Sequence, residues 1–244
     1  MTDMTDTVRL AKRLADQLSC SRREAENYVL GGWVEVDGQV NEVPGARVSP
    51  QVDITLRPGA RAEPVEPVTL LLNKPSGWGA SEGNGSAATL FVAENHMPDP
   101  DPRVRVLQAH LANLVLATPL EAEASGLVVV TQQHGIMRKL MDEADRVEQE
   151  FVVGVSGAMA EDGLARLNRG ATWQGKPLPA IKVSWQNESH LRFALKTPPL
   201  GLIRHLCEQV GLTVVSMRRI RIGRLSMSSL PSGQWRYLKG YERF

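Results

Sequence analysis

The chain has only two cysteines, Cys20 and Cys207, in 244 residues, and each is expected within a helix. They are too few and too far apart for a disulfide framework or a Cys-x-x-Cys metal pair, and both read as buried free thiols. No apolar run is long enough to span a bilayer, and the start, MTDMTDTVRLAKRL, lacks the apolar core of a secretory signal. The expected location is the cytoplasm. A strong net charge is also missing. The 28 basic and 27 acidic residues leave a formal +1, so nothing global announces a polyanionic partner. The five histidines show no metal-ligand spacing, and His134 reads as a turn residue. The Gly-x-Gly fragment in EGNGS, residues 82–86, lacks the third glycine of a dinucleotide site and reads as a flexible loop.

What is present begins with an ordinary globular composition, 42% hydrophobic and 23% charged, enough to bury a core. Charge is unevenly spread. From residue 201 onward eight arginines and lysines, Arg219 and Arg221 among them, face only Glu208 and Glu242, whereas the middle of the chain is acidic. Leu10, Leu14 and Leu18 recur at helical spacing over residues 8–18, with Arg9, Lys12 and Arg13 on the remaining face. Ser21-Arg22-Arg23-Glu24 has the form of a capping box opening a second helix, which Gly31 and Gly32 stop. WVEVDGQV alternates apolar and polar residues about Asp37-Gly38, a dipeptide suited to a tight hairpin turn. Helix, helix and hairpin make a small unit over residues 7–60, and Pro and Gly punctuate a linker at 61–67.

The larger part, 68–244, opens with VTLLLNKPSGW, a buried strand running into a turn; SGLVVVTQ and EQEFVVGVSG are further Val-rich strand candidates. Residues 135–145 and 200–210 read as helical, and NHMPDPDPR near residue 100 as a loop. No strict strand–helix alternation and no internal repeat appear, so the expected class is α+β, built on a mostly antiparallel mixed sheet.

Residues 9–40, RLAKRLADQLSCSRREAENYVLGGWVEVDGQV, resemble the S-four RNA-binding domain in the order of helix, capped helix and Val-x-Val-x-Gly hairpin. That resemblance puts Arg9, Lys12, Arg13, Arg22 and Arg23 against RNA. Such contacts act mainly on phosphates and depend on salt. The rest of the chain resembles the RsuA/RluB/RluE/RluF group of RNA pseudouridine synthases, through LLNKPSGW, TPLEAEASGLVVVTQQHG and VVSMRRIRIGRLSMSSLPSGQWRYL. The resemblance implies an isomerase that needs no cofactor or metal. It breaks the glycosidic bond of a uridine in structured, ribosomal RNA, turns the uracil and rejoins it through carbon 5. The target nucleotide must leave its stack to be reached.

In that group one aspartate acts at the ribose, and an arginine and a tyrosine orient it and the base. Here the aspartate falls on Glu121, the arginine before it on Pro119, the tyrosine on Phe151 and a lysine on Gln149. Gly201 and Leu202 stand where a later segment has Arg and Gln, while Ile203 and Arg204 are kept. The expected catalytic carboxylate is thus Glu121, longer by one methylene and without the arginine expected to orient it. Phe151, Ile203, Arg204 and Lys74 are the expected substrate-side residues, and Arg219 and Arg221 join the RNA-facing set. A monomer acting on structured RNA is expected. The alternative is a catalytically silent RNA-binding protein of the same fold, working in ribosome assembly or RNA remodelling.

Overall fold

The computed structural model describes residues 7–79, 85–101, 104–170, 172–178 and 180–244. Residues 82–84 of the EGNGS loop and residues 102–103 of the proline-rich loop lie outside the described residues. The chain forms two compact units, 1–67 with 101–113 and 68–100 with 114–244.

In the first unit, helices Leu10–Leu18 and Arg22–Leu30 close over Leu10, Leu14, Ala25, Val29, Val34 and Ile54. Leu18, the last residue of the first helix, is 36% exposed, whereas Ala11 is buried beside Leu10 and Leu14. Each fully buried leucine contributes about 1.5–3 kcal/mol. The capping box forms as the sequence predicts: the Glu24 N–H donates to Ser21 Oγ at 3.2 Å and the Ser21 N–H to Glu24 Oε2 at 2.8 Å. Cys20 is not in a helix. It lies half-buried between the two helices, where the left-handed Ser19 (φ 53°) has already ended the first. Asp37 and Gly38 take positive φ of 51° and 78° and join antiparallel strands Val34–Val36 and Gln39–Val40. Residues 104–113, distant in sequence, also belong here. The Arg105 guanidinium lies 3.8 Å over the Trp33 ring and donates to Gly31 O at 3.0 Å, and the Gln108 N–H donates to the Glu42 carboxylate at 2.6 Å.

The second unit is a nine-stranded sheet whose main path runs 182–187, 190–196, 148–157, 212–222, 125–131, 69–74 and 235–237. Among the described strand pairs of this sheet, Leu212–Ile222 beside Ser125–Thr131 is parallel and the rest are antiparallel. Thr69–Lys74 is buried at every residue, as a strand covered on both faces must be, whereas His190–Lys196 buries Leu191, Phe193 and Leu195 in alternation. The stretch expected to be one helix over 135–145 is an α turn at His134–Met137, a π turn at Arg138–Asp142 and a 3-10 turn at Ala144–Arg146. Helix Leu202–Gln209 turns Leu202, Ile203, Leu206 and Cys207 inward, and burial pushes the Cys207 thiol up to about 12. Among the described residues no helix is long and apolar enough to cross a membrane, and no cluster of metal-binding side chains occurs.

Candidate active site

Two turns at the ends of neighbouring strands build the site. The strand Thr69–Lys74 runs into Pro75-Ser76-Gly77, and the strand Ser125–Thr131 is preceded by the turn at 121–124. The first turn grips the second. Gly77 N–H donates to Ala122 O at 2.7 Å, Ser76 Oγ to Glu123 O at 2.6 Å and Lys74 Nζ to Ala122 O at 3.1 Å. Lys74 Nζ also donates to Trp78 O at 2.8 Å and Pro75 O at 3.0 Å, so all three ammonium protons have carbonyl acceptors. Burial, with the Arg219 charge adding to it, pushes the Lys74 pKa down to about 8. It stays cationic at neutral pH. The Lys-Pro-Ser-Gly motif thus fixes the backbone that carries Glu121.

Behind that turn lies Arg219, 2% exposed. Its Nε donates to Leu127 O (2.7 Å), one terminal nitrogen to Pro119 O and Gln149 Oε1 (both 3.0 Å), and the other to Thr118 O (2.7 Å) and Thr118 Oγ1 (3.3 Å). All five donors are placed. Every one of these acceptors is neutral. Burial lowers its pKa to about 9, still cationic at pH 7. Stripping such a charge of water costs several kcal/mol, and hydrogen bonds involving a charged group, about 1.5–3 kcal/mol each, are of the size needed to offset it. Gly126 makes this possible. It pairs with Arg219 in the parallel register at φ +108°, and a Cβ there would lie 2.2 Å from Arg219 O. A side chain in place of that glycine would force the two strands apart.

Glu121, half-buried, points its Oε1 at the Gly201 N–H, 2.7 Å away. Gly201 has φ +85° and caps helix Leu202–Gln209 without a side chain of its own, so the carboxylate takes a donor at the positive end of that helix. In place of the missing arginine, a backbone amide orients the carboxylate. Glu121, Pro119, Gln149, Phe151, Ile203 and Arg219 line one cavity of about 100 Å³, with residues 197–200 along its side. At about 30 Å³ per water, that is room for roughly three waters.

Of the expected substrate-side residues, Phe151 and Ile203 line this cavity. Lys74 lies behind the turn, and Arg204 reaches Val214 O at 3.5 Å. Neither lines it. The expectation that Arg219 faces RNA at the surface is corrected too. Strand alternation turns Arg218 out and Arg219 in, beside the inward Met217. Arg221 is likewise committed, pairing with Glu148 at 2.5 Å and Glu150 at 2.9 Å across the adjoining strand. In the first unit Arg9, Lys12 and Arg23 are exposed, and among the described residues their side chains have no hydrogen-bond or ionic partner; Arg22 pairs with Glu26 at 2.9 Å and Arg13 reaches Pro50 O at 3.3 Å. The sequence reading did not single out Thr118. Its hydroxyl accepts from Val129 N–H at 2.8 Å while also serving Arg219, and no local pattern announces that.

No protein-family model matches the chain. The dual-specificity RNA pseudouridine synthase RluF of Escherichia coli K12 is 28% identical over 235 residues, spanning 95% of this chain and 76% of the relative. A putative ribosomal large subunit pseudouridine synthase of Arabidopsis thaliana chloroplasts, SVR1, is 28% identical over 238 residues, 91% of this chain and 56% of that protein. A crystal structure of a pseudouridylate synthase is similar with a TM-score of 0.59 at 19% identity, covering 95% of this chain and 96% of the other, which shows the shared fold.

Proposed function

We propose that this chain, RluF-like over 95% of its length, isomerises a uridine within structured, ribosomal RNA, with Glu121 as the carboxylate that acts at the ribose. One observation carries the reading: Glu121, Phe151 and Arg219 line the same cavity. The Phe151 ring offers an apolar face against a flipped base but no hydroxyl. Arg219 brings an un-neutralised positive charge, fixed before substrate arrives, to the place where negative charge develops on the uracil oxygens as the glycosidic bond breaks. The isomerisation conserves every atom and is redox-neutral, so it consumes no co-substrate. The exposed Arg9, Lys12 and Arg23 supply phosphate contacts that hold the RNA with salt-dependent affinity. The ribosomal assignment follows the similarity to the chloroplast relative, a putative ribosomal large subunit pseudouridine synthase.

A specific observation favours a second reading, a catalytically silent RNA-binding protein of the same fold. The cavity, about 100 Å³, is below the roughly 300 Å³ at which ligand sites begin, and one oxygen of Glu121 is occupied by Gly201. Magnitude decides how much this counts. Freeing the carboxylate costs one hydrogen bond, about 1–3 kcal/mol, which the binding of an RNA readily supplies. The enzyme reading therefore stands, with displacement of residues 197–201 as part of substrate entry. The test is a chemical map of pseudouridines in ribosomal and transfer RNA from cells with the gene, without it and with Glu121→Ala. A site lost in both altered strains supports the enzyme and names its target. An unchanged map removes the isomerase reading and leaves RNA binding.

A further inference from the structure

The helical stretch His134–Arg146 has two sides. Leu140 and Ala144 line the Glu121 cavity, whereas Lys139 and Arg146 line a larger hollow of about 680 Å³, together with Arg224 and Arg243. A neighbouring hollow of about 340 Å³ shares Arg224 and Arg243 and adds Tyr241, which is 77% exposed. The two make one groove with an aromatic ring at its rim.

Its charge is positive after the internal pairs are set aside. Arg221 is taken by Glu148 and Glu150, Glu242 by Arg236, and Glu143 lies between Arg138 and Arg146 at 3.4 and 3.5 Å. Among the described residues Lys139 and Arg224 have no hydrogen-bond or ionic partner, and Arg243 donates to the carbonyls of Gly240 and Glu242. The groove is built into the fold. Phe244 is buried in the core beside Leu140, Val147 and Ile222, and Gly223, at φ +57°, leaves the space its backbone occupies; a Cβ there would lie 2.5 Å from Phe244 C. That anchoring holds Arg243 beside the Gly223–Arg224 turn.

We infer that this groove is a second RNA-contact surface, which takes the phosphodiester backbone of a strand flanking the modified nucleotide and stacks one base on Tyr241. The inference rests on the RNA-directed reading above. Point charges on flexible stems with an exposed aromatic ring are what single-stranded RNA requires. An acidic peptide would need apolar anchors to bind well, and Val147 and Phe244 are already buried, leaving Tyr241 alone.

The experiment uses the full chain with fluorescent oligouridylate and measures affinity against salt concentration. Lys139→Ala with Arg224→Ala removes two phosphate contacts, so the logarithmic salt slope should fall by about 1.4. Tyr241→Ala should weaken binding about tenfold with the slope unchanged. Arg169→Ala, exposed and outside the groove, should alter neither. All these side chains are exposed or half-buried, and circular dichroism verifies that each variant folds. An unchanged slope in the double variant overturns the groove while leaving the proposed function intact. A polyglutamate peptide that binds the native chain and not the double variant, with the RNA slope unchanged, reassigns the groove to an acidic protein. A native chain that binds no RNA overturns both readings together.

Discussion

Replacing Glu121 by aspartate restores the residue of the family pattern, yet the structure says it removes a contact. Glu121 Oε1 accepts the Gly201 N–H at 2.7 Å. Shortening the side chain by one carbon draws the carboxylate back about 1.5 Å, which leaves an N···O separation near 4 Å, beyond hydrogen-bonding range. A bond to a charged acceptor contributes about 1.5–3 kcal/mol, and at this half-buried site water replaces part of it, so the expected loss is about 1 kcal/mol. Against a total stability of about 5–15 kcal/mol the protein remains folded. Urea unfolding reads the global loss, and amide exchange reads the local one: the Gly201 N–H should exchange roughly fivefold faster, since about 1.4 kcal/mol is a factor of ten and about 1 kcal/mol a factor of about five. The rate of pseudouridine formation should remain below that of RluF measured alongside, because position 119 is proline and position 201 glycine, so neither supplies a guanidinium. Unchanged exchange at Gly201 would refute the contact. A variant as fast as RluF would refute the need for the arginine.

Two further outcomes follow from the buried charges. Arg219→Lys keeps the charge but offers three donors where five bonds exist, leaving at least two buried acceptors unmet at about 1–3 kcal/mol each; urea unfolding should show a loss of about 4 kcal/mol, and a loss below about 1 would contradict the network. Glu150 is held down to about 2 from a usual 4.5, by its hydrogen bond to Arg221 first and to Arg192 second. A carboxyl with a lowered folded-state pKa contributes stability that is complete above the unfolded value and fades as pH falls through the folded one. Stability should therefore drop between about pH 4.5 and 2, and Glu150→Gln should flatten that decline; equal slopes in the two proteins would remove the role assigned to the pair.

What the sequence reveals best is chemistry completed within a few residues. The Ser21–Glu24 box and the Asp37-Gly38 turn close on themselves, so residue types at fixed spacing suffice to read them. The sheet class was legible from Val-rich runs without helical alternation, but its order was not. Leu212–Ile222 lies between strands that begin at Glu148 and Ser125, and no local signal carries that pairing. Arg219 shows how charge alone misleads about which face of a strand a residue takes. The alternation Met217, Arg218, Arg219 already assigned opposite faces to the two arginines, and charge alone argued for solvent. Only the neutral acceptors of Thr118, Pro119, Leu127 and Gln149, all distant in the chain, reverse that preference. The return of residues 104–113 to the first unit escaped for the same reason, since Arg105 and Trp33 meet across a large sequence separation.

Two departures from the family pattern meet in one hydrogen bond. The resemblance places an arginine where Gly201 stands and a shorter acid where Glu121 stands. In this chain the acid is longer by one methylene, and the opposing residue presents its backbone rather than a side chain. The φ of +85° that aims this amide is natural for glycine and strained for any other residue. Each change thus makes sense of the other: the longer carboxylate reaches a donor that only an unsubstituted position exposes at this angle. Residues in direct contact do not respond additively to substitution. Judging Glu121 by its identity alone, as a damaged aspartate, therefore misplaces the question. On the reading proposed above, the unit to test is the carboxylate together with the amide that holds it, and the release of that bond by residues 197–201 is the step that RNA binding has to drive.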